Sequence, residues 1–422
     1  MIKRNGHHRK NRSGLVCARD IGSAKLACFV ATIGDEKGPE IIGIGHHASR
    51  GVRSGAIADM DAAETAIRST VEAAEKMAGE TVREVIINIS AGAPQSKLIS
   101  YEIAIAGHRV GDADLRRILE PAVGPDGVPA DHEVVHAIPV GYAIDGVRGV
   151  RDPRGMFGER LGVNLHMVSA AAGAIRNLRT CIGRCHLEVE AEVVSSYASA
   201  LACLVEDERQ LGVTLIDMGG GTTSIAVFFD GELVHTDSVP VGGVHVTNDI
   251  ARGLSTPITH AERMKTLYGS AIPAAHDDRE MLKVPQIGET ESGETSQVPR
   301  SMLVGIIRPR IEEIFEMARA RLEAAGFDKV AGRRVVLTGG ASQLSGVRDL
   351  AAMVLDKQVR PGRPRSFAGL AEAVSGPAFS TCAGLIHSAA MTAAMDPPGA
   401  YRPAAEQSGR WSRFGQWIRD NF

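Results

Sequence analysis

Apolar positions in this chain fall into short runs separated by glycine-rich turns, with helical stripes between them. Residues 15–30 read as a strand, a turn at Asp20-Ile21-Gly22-Ser23, and a second strand. A third strand follows at 41–46. A helix comes next, its start marked by Asp61 with Glu64 three residues on, its stripe formed by Ile67, Val71 and Ala74. It leads to a strand at 84–89 closed by Ser90-Ala91-Gly92. From 211 the order repeats: an apolar run to Ile216, the turn Asp217-Met218-Gly219-Gly220-Gly221-Thr222-Thr223, and a strand at 225–229. A third strand near 232–239, a long helix, and a strand at 334–338 closed by Gly339-Gly340-Ala341 complete the repeat. Superposed, Asp20 falls on Asp217 and Gly22 on Gly219. The same order and turn chemistry twice over predict a duplicated α/β unit whose halves face each other across a cleft.

Insertions separate the matching parts. In the first half, strands at 134–140 and 163–168 and a helix capped by Asp112 and running to Leu119 suit a small α/β subdomain. In the second half, Thr259 and Glu262 read as a capping box opening a helix to Leu267. The polar run 288–297 reads as an exposed loop. The helix after it carries Ile306, Ile307, Ile311, Ile314, Phe315, Ala318 and Leu322, and Pro309 is expected to divide it at Arg308. Residues 380–386, small and then apolar, suit a helix packed in the hinge between halves. Pro397, Pro398, Gly399 and Pro403 then mark a linker without apolar period.

The turn at Asp217 carries the sharpest chemistry. Three consecutive glycines remove the Cβ atoms that would hold a ligand off the backbone, so N–H groups can converge on an anion. Thr222 and Thr223 add hydroxyls. Asp217, at the end of a buried strand, could hold a hydrated Mg²⁺ through water. A ligand-free hairpin fits the same stretch, but the matching turn from Asp20 to Ser23 supplies an opposing jaw and favours a nucleotide gripped from both sides.

Length and composition narrow the class. A chain of 422 residues exceeds one ordinary core and implies several domains. Only 4% aromatic residues beside 47 glycines suit a Val/Ile/Ala-rich α/β core better than a β-sandwich. A formal charge of −3 gives no reason to expect nucleic acid as a partner. Lys3, Arg4, Arg9, Lys10 and Arg12 make residues 1–13 a basic tail, either solvated or drawn to anionic surfaces. No stretch has the apolar length of a signal peptide core or a membrane span, so a cytosolic protein is expected. Cys17, Cys28, Cys203 and Cys382 sit in apolar runs as small hydrophobes. Cys181 and Cys185, with His186, lack the second ligand pair of a zinc site.

The last residues, 410–422, form a second candidate site. At about 100° per residue, Trp411, Phe414, Trp417, Ile418 and Phe422 share an arc of roughly 140°, with Arg413, Gln416, Arg419 and Asp420 opposite. A helix about 20 Å long cannot cross a bilayer but can lie in its interface; docking on the parent domain is the alternative. One such helix binds reversibly, so firm attachment calls for several copies joined by self-association.

These features together resemble the bacterial cell-division FtsA family, actin-like proteins of the ribonuclease-H-like ATPase fold, from Leu15 to Phe422. The resemblance rests on Asp20-Ile21-Gly22-Ser23-Ala24-Lys25, Ser49-Arg50-Gly51, His136-Ala137-Ile138-Pro139 with Tyr142-Ala143-Ile144-Asp145, and Glu206-Asp207-Glu208-Arg209-Gln210-Leu211-Gly212. The Asp217 turn, Leu337-Thr338-Gly339-Gly340-Ala341 and the terminal amphipathic helix complete it. It implies four subdomains: 1A (14–90, 168–195 and 376–393), an inserted 1C (91–167), 2A (196–245 and 330–375) and 2B (246–329). A linker (394–409) and a membrane-targeting helix (410–422) follow.

It further implies ATP and Mg²⁺ held by Asp20, Gly22 and Ser23 in one phosphate loop and by Asp217, Gly219, Gly220, Gly221 and Thr222 in the other. Gly339, Gly340 and Ala341 match the adenosine loop, and Glu262 and Lys265 the helix that reaches ribose and base. Arg300 and Arg310 match positions that receive the C-terminal peptide of the tubulin-like protein FtsZ; each could equally cap or solvate its own helix. Trp411, Phe414, Trp417, Ile418 and Phe422 match the membrane-binding face. The implied setting is peripheral, on the cytoplasmic face of the inner membrane at the division septum, with self-polymerisation and other division proteins as partners.

One departure bears on turnover. Many actin-like ATPases carry a second Asp where Ser224 stands, and 192–197 offers no obvious water-positioning residue, so binding is better supported than fast hydrolysis. A sugar-kinase-like phosphotransferase shares the duplicated fold but needs a catalytic base, for which no candidate stands out. A seventy-kilodalton heat-shock chaperone would need a β-rich domain after the ATPase unit. Shape-determining and pilus-assembly actin relatives remain alternatives.

Overall fold

The computed structural model describes residues 14–34, 38–119, 128–288, 295–365 and 367–395. In the first half β1 (Leu15–Ile21) turns into antiparallel β2 (Lys25–Gly34), which pairs with β3 (Gly38–Ala48). A ribbon of β4 (Val52–Arg53) and β5 (Ala56–Ile57) leads to α1 (Met60–Ala78). The cap of α1 is Asp59 rather than Asp61: Asp59 Oδ1 accepts from the amides of Asp61 and Ala62 at 3.1 and 3.0 Å. A capping oxygen must lie outside the helix to reach second- and third-position amides, and Asp61 already occupies the first turn.

β6 (Glu84–Ile89) runs parallel to β1. The chain then leaves for β7 (Gln95–Ala104), α2 (Asp112–Leu119), β8 (His132–Ile144), β9 (Val147–Val150) and β10 (Arg160–Ala171), a sheet ordered β7-β10-β8-β9. This insert has a core of its own around Leu115, Ile118, Leu161 and Leu165. Asp112 is already the first residue of α2 and does not cap it; Asp114, two residues on, reaches back to accept from the amide of Gly111 at 3.0 Å. α3 (Ala172–Arg184) and β11 (Glu188–Val194) return to the first sheet, ordered β11-β6-β1-β2-β3.

After α4 (Ser195–Cys203) and α5 (Glu206–Leu211) the second half begins with β12 (Val213–Met218), β13 (Thr223–Phe229) and β14 (Glu232–Val239). α6 (Gly243–Gly253), α7 (Ile258–Tyr268), a ribbon of β15 (Met281–Pro285) and β16 (Thr295–Pro299), and α8 (Arg300–Ala324) follow. α9 (Phe327–Val330), β17 (Arg334–Thr338), α10 (Val347–Leu355), β18 (Gln358–Pro361) and α11 (Ser380–Met395) complete it. The second sheet is ordered β18-β17-β12-β13-β14, with the same strand directions as the first.

The repeat extends to register. Asp20 pairs with Ala27 where Asp217 pairs with Ser224, and Arg19 pairs with Ile87 where Ile216 pairs with Leu337.

Three expectations for the second half are corrected. Thr259 lies inside α7, which starts after Pro257 without a side-chain cap, because Glu262 is engaged elsewhere. Residues 295–297 are not loop but the start of β16, paired with β15 through Val284–Ser296 and Lys283–Gln297. α8 runs unbroken through Pro309. Burial of Leu303, Val304, Ile307, Ile311, Ile314, Phe315, Ala318 and Leu322 along it outweighs the roughly 3 kcal/mol cost of an internal proline.

Between the sheets lie α4 and α11. Ala18, Ala27 and Phe29 from the first sheet and Leu215, Ala226 and Phe228 from the second pack on them in one core. The helices cross closely: a Cβ on Gly384 would sit 1.7 Å from the carbonyl oxygen of Ala198. Residues 380–386 therefore lie between the two sheets. No described helix is long and apolar enough to cross a membrane.

Candidate phosphate-binding cleft

Both turns close with one hydrogen bond. The amide of Gly22 donates to the Lys25 carbonyl at 3.1 Å, and that of Gly219 to the Thr222 carbonyl at 2.9 Å. A Cβ at either glycine would lie 2.8 or 2.9 Å from that same oxygen, so the turn geometry demands glycine in both halves. The loops also meet each other. A Cβ on Gly220 would fall 2.6 Å from Ala24 Cβ, and one on Gly221 2.5 Å from Ser23 Oγ. Ser23 Oγ accepts from the Gly55 amide at 2.9 Å, fixing the first loop to the ribbon that follows β3. The amides of Gly243 and Val244, opening α6, donate to the Gly219 and Gly220 carbonyls at 3.0 and 2.8 Å. Of the two threonines only Thr222 remains for a ligand: Thr223 Oγ1 donates to the Val241 carbonyl at 2.8 Å.

Asp20 and Asp217 end their strands in buried positions. Burial pushes the Asp20 carboxyl up to about 6, opposed by Lys25 and reinforced by the charge of Asp217. Burial also raises Asp217, opposed by hydrogen bonds from Ser199 and Thr381. Lys25 Nζ lies 3.8 Å from Asp20, donates to the Ala378 carbonyl at 2.5 Å, and sits 3.7 Å above the Phe379 ring.

The far edge of the cleft is built on α6 and α7. Lys265 Nζ donates to the Gly243 carbonyl, Thr247 Oγ1 and Glu262 Oε2 at 3.0, 2.8 and 2.7 Å. A Cβ on Gly243 would lie 3.1 Å from Ala341 Cβ and 3.7 Å from Lys265 Nζ, which places the adenosine-loop candidate beside this cluster. Gly339, at φ +86°, passes so close that its Cβ would lie 2.3 Å from Asp217 Oδ1. Pairwise contacts thus link the Asp20 and Asp217 loops, Gly339, Ala341 and the Lys265–Glu262 pair.

Several residues beside or behind the loops escaped the pattern analysis. Asn88, a lone amide in an apolar strand, accepts from the Ile21 amide at 2.7 Å and donates to Ser195 Oγ at 3.0 Å. Lys25 and Gly242 lie beside the loops, while Ser199 and Thr381 are buried behind Asp217 and bond to its carboxylate; hydroxyls in small-residue helices and the Gly242-Gly243 pair were the available signals. Glu192, the carboxylate of 192–197, is bound by Arg179, which also holds Glu133.

Arg300 and Arg310 lie on α8, outside the cleft and about 15 Å apart along the helix. Arg300 pairs with buried Asp277 and donates to the Tyr268 carbonyl at 2.8 Å. Arg310 pairs with Asp249 at 2.6 Å and with Glu313. Both guanidiniums are therefore already compensated within the subdomain. Trp411, Phe414, Trp417, Ile418 and Phe422 lie outside the described residues.

Two facing sheets of identical topology, with opposed glycine loops at their carboxyl ends, define a nucleotide-binding fold of the actin-like class. Solved structures share it: the PilM–PilN type IV pilus biogenesis complex (TM-score 0.61, 17% identity, 89% of this chain and 98% of that one) is similar. So is MreB 5 of Spiroplasma citri bound to AMPPNP (TM-score 0.53, 14% identity, 89% and 95%). At these identities the likeness is one of fold alone. Family models described as "Cell division protein FtsA" and "SHS2 domain inserted in FTSA" match residues 214–384 and 91–169. The cell division protein FtsA of Agrobacterium fabrum is 46% identical over 431 aligned positions, covering 97% of this chain and 96% of the relative. That of Escherichia coli K12 is 31% identical over 425, covering 97% and 98%. The chain belongs to the FtsA family of actin-like cell division proteins.

Proposed function

We propose that this protein binds ATP with Mg²⁺ in the cleft, polymerises in a nucleotide-dependent way, and tethers FtsZ filaments to the cytoplasmic face of the inner membrane at the division septum. The observation that carries the nucleotide reading is the pair of opposed loops in matched register, each beginning at a buried carboxylate. The residues fit the ligand. Two buried carboxylates lie near one lysine, so the cleft carries negative charge that a divalent cation would neutralise, and the amides of glycines 220 and 221 suit phosphate oxygens, those of 22 and 219 being spent on closing their turns. Asp20 and Asp217 would hold the hydrated cation, and Ser23 and Thr222 would add hydroxyl contacts. Bound Mg²⁺ supplies charge neutralisation for the phosphates. Ser224 stands opposite Asp217 in the strand pair, and Glu192 is committed to Arg179, which favours a binding switch over rapid turnover.

Family membership supports the roles of FtsZ, further division proteins and the membrane, with the 410–422 helix as anchor and the 246–329 subdomain as receiver of the acidic FtsZ tail. Arg310 is the better probe of that face, since reversing Arg300 would strand buried Asp277. The test is vesicle co-sedimentation with FtsZ, with and without ATP. Trp417→Glu should abolish lipid binding, and Arg310→Ala should weaken FtsZ recruitment several-fold with lipid binding intact. Wild-type behaviour in both variants would refute the two site assignments.

A further inference from the structure

The strongest unassigned feature is a buried hydroxyl pair behind Asp217, and its interpretation rests on the nucleotide reading above. Ser199 Oγ, on α4, donates to Asp217 Oδ2 at 2.5 Å, and Thr381 Oγ1, on α11, donates to the same oxygen at 3.1 Å. The hydroxyls lie 2.9 Å apart, and all three side chains are buried. Among the described residues Oδ1 receives no hydroxyl. One residue earlier on α11, Ser380 Oγ lies 2.6 Å from Thr338 Oγ1, at the end of β17. Neighbouring α11 residues therefore hold the carboxyl ends of β12 and β17, the strands that deliver loops 219–222 and 339–341.

We propose that Ser199 and Thr381 are positioning residues that tie Asp217 to the crossing of the two hinge helices, leaving Oδ1 for a hydrated cation and coupling its occupancy to the angle between the halves. The geometry supports this in two ways. The donors come from different helices separated by 182 positions, so they converge on one oxygen only while α4 and α11 keep their crossing. That crossing is set by backbone contact at Gly384 and Ala198, and the helices form the core shared by both halves. A ligand that favours one crossing is favoured by it in return. Among the described residues the twin carboxylate, Asp20, has no such pair of hydroxyls: its compensation is Lys25. The hydroxyl link from a loop carboxylate to the two helices is thus on the Asp217 side.

The test uses the full chain, a fluorescent ATP analogue, and Mg²⁺ titrated against a chelator, for wild type, Ser199→Ala, Thr381→Val, the double variant and Thr381→Ser. The expected result is that the double variant needs about tenfold more Mg²⁺ for half-maximal nucleotide retention. Its metal-free nucleotide affinity stays within twofold of wild type, and Thr381→Ser restores the Mg²⁺ requirement. Hydrogen exchange supplies a second readout: Mg²⁺ with ATP should slow exchange across α4 and α11 in wild type and Thr381→Ser but not in the double variant. An unchanged Mg²⁺ requirement in the double variant, or an equal loss of metal-free binding, would overturn the proposal while leaving nucleotide binding standing. Failure of wild type to bind the nucleotide would overturn both.

Discussion

The turn at Asp20 and the turn at Asp217 share register, closing hydrogen bond and the demand for glycine, yet their carboxylates are handled by different means. Asp20 faces a lysine of its own loop; Asp217 faces two neutral hydroxyls brought from helices outside its sheet. Duplication preserved the backbone that would cradle a phosphate and let the charge compensation diverge. The first carboxylate meets a charge from its own loop, whereas the second draws its hydroxyls from α4 and α11.

Three experiments would break or sharpen this contrast. The largest effect is expected from Asp217→Asn, which should lower Mg²⁺-dependent nucleotide affinity by about a thousandfold, or roughly 4 kcal/mol. Asp20→Asn should cost less, because Lys25 still serves the phosphate side; equal losses in a nucleotide titration would erase the asymmetry.

The second effect concerns pH. Asp20 holds its proton to about pH 6 when folded, against 3.8 for the ordinary group, so the folded state binds more protons between these values. The stability contributed by protonated Asp20 is full below about pH 4, falls as pH rises through 6, and is flat above. Asp20→Asn, which mimics the neutral form, should gain on wild type across that window by up to about 3 kcal/mol. Urea unfolding in chelator from pH 4 to 8 measures it, and a constant difference would show that Asp20 is not desolvated in the folded chain.

The smallest effect is a matched one. Gly22→Ala and Gly219→Ala each force a Cβ against the carbonyl that closes its turn, and each should destabilise by about 1 kcal/mol. Thermal melts that separated the two by much more than that would mean the turns are not equivalent.

Much of this was legible from period and punctuation. Strands 84–89 and 334–338 stand where their apolar runs placed them, because such runs bounded by glycine turns have few other solutions. The two glycine loops announced themselves through residues whose only virtue is a missing side chain. Helix starts were less legible, since Asp59 and Asp61 are chemically identical as caps and only the backbone decides between them. Pro309 misled because local propensity is weighed against a packed stripe that no window of sequence displays. Ser199, Thr381 and Asn88 stayed hidden for a related reason. Hydroxyls and amides are common, and their role appears only when strands and helices distant in sequence bring them to one carboxylate or one turn.

The short turn at 377–379 and the start of α11 have a consequence in time. Here the Lys25 ammonium, the Gly339 amide, Thr338 and Asp217 all find partners, on residues 377, 378, 380 and 381. Lys25 is synthesised 353 residues before the carbonyl it binds. At about 5–20 residues per second that is an interval of roughly 20–70 s. During it the first loop exists without the contact that seats its lysine. Until residues 377–381 have been made, Lys25, the Gly339 amide, Thr338 and Asp217 all lack the partners that hold the two loops in place.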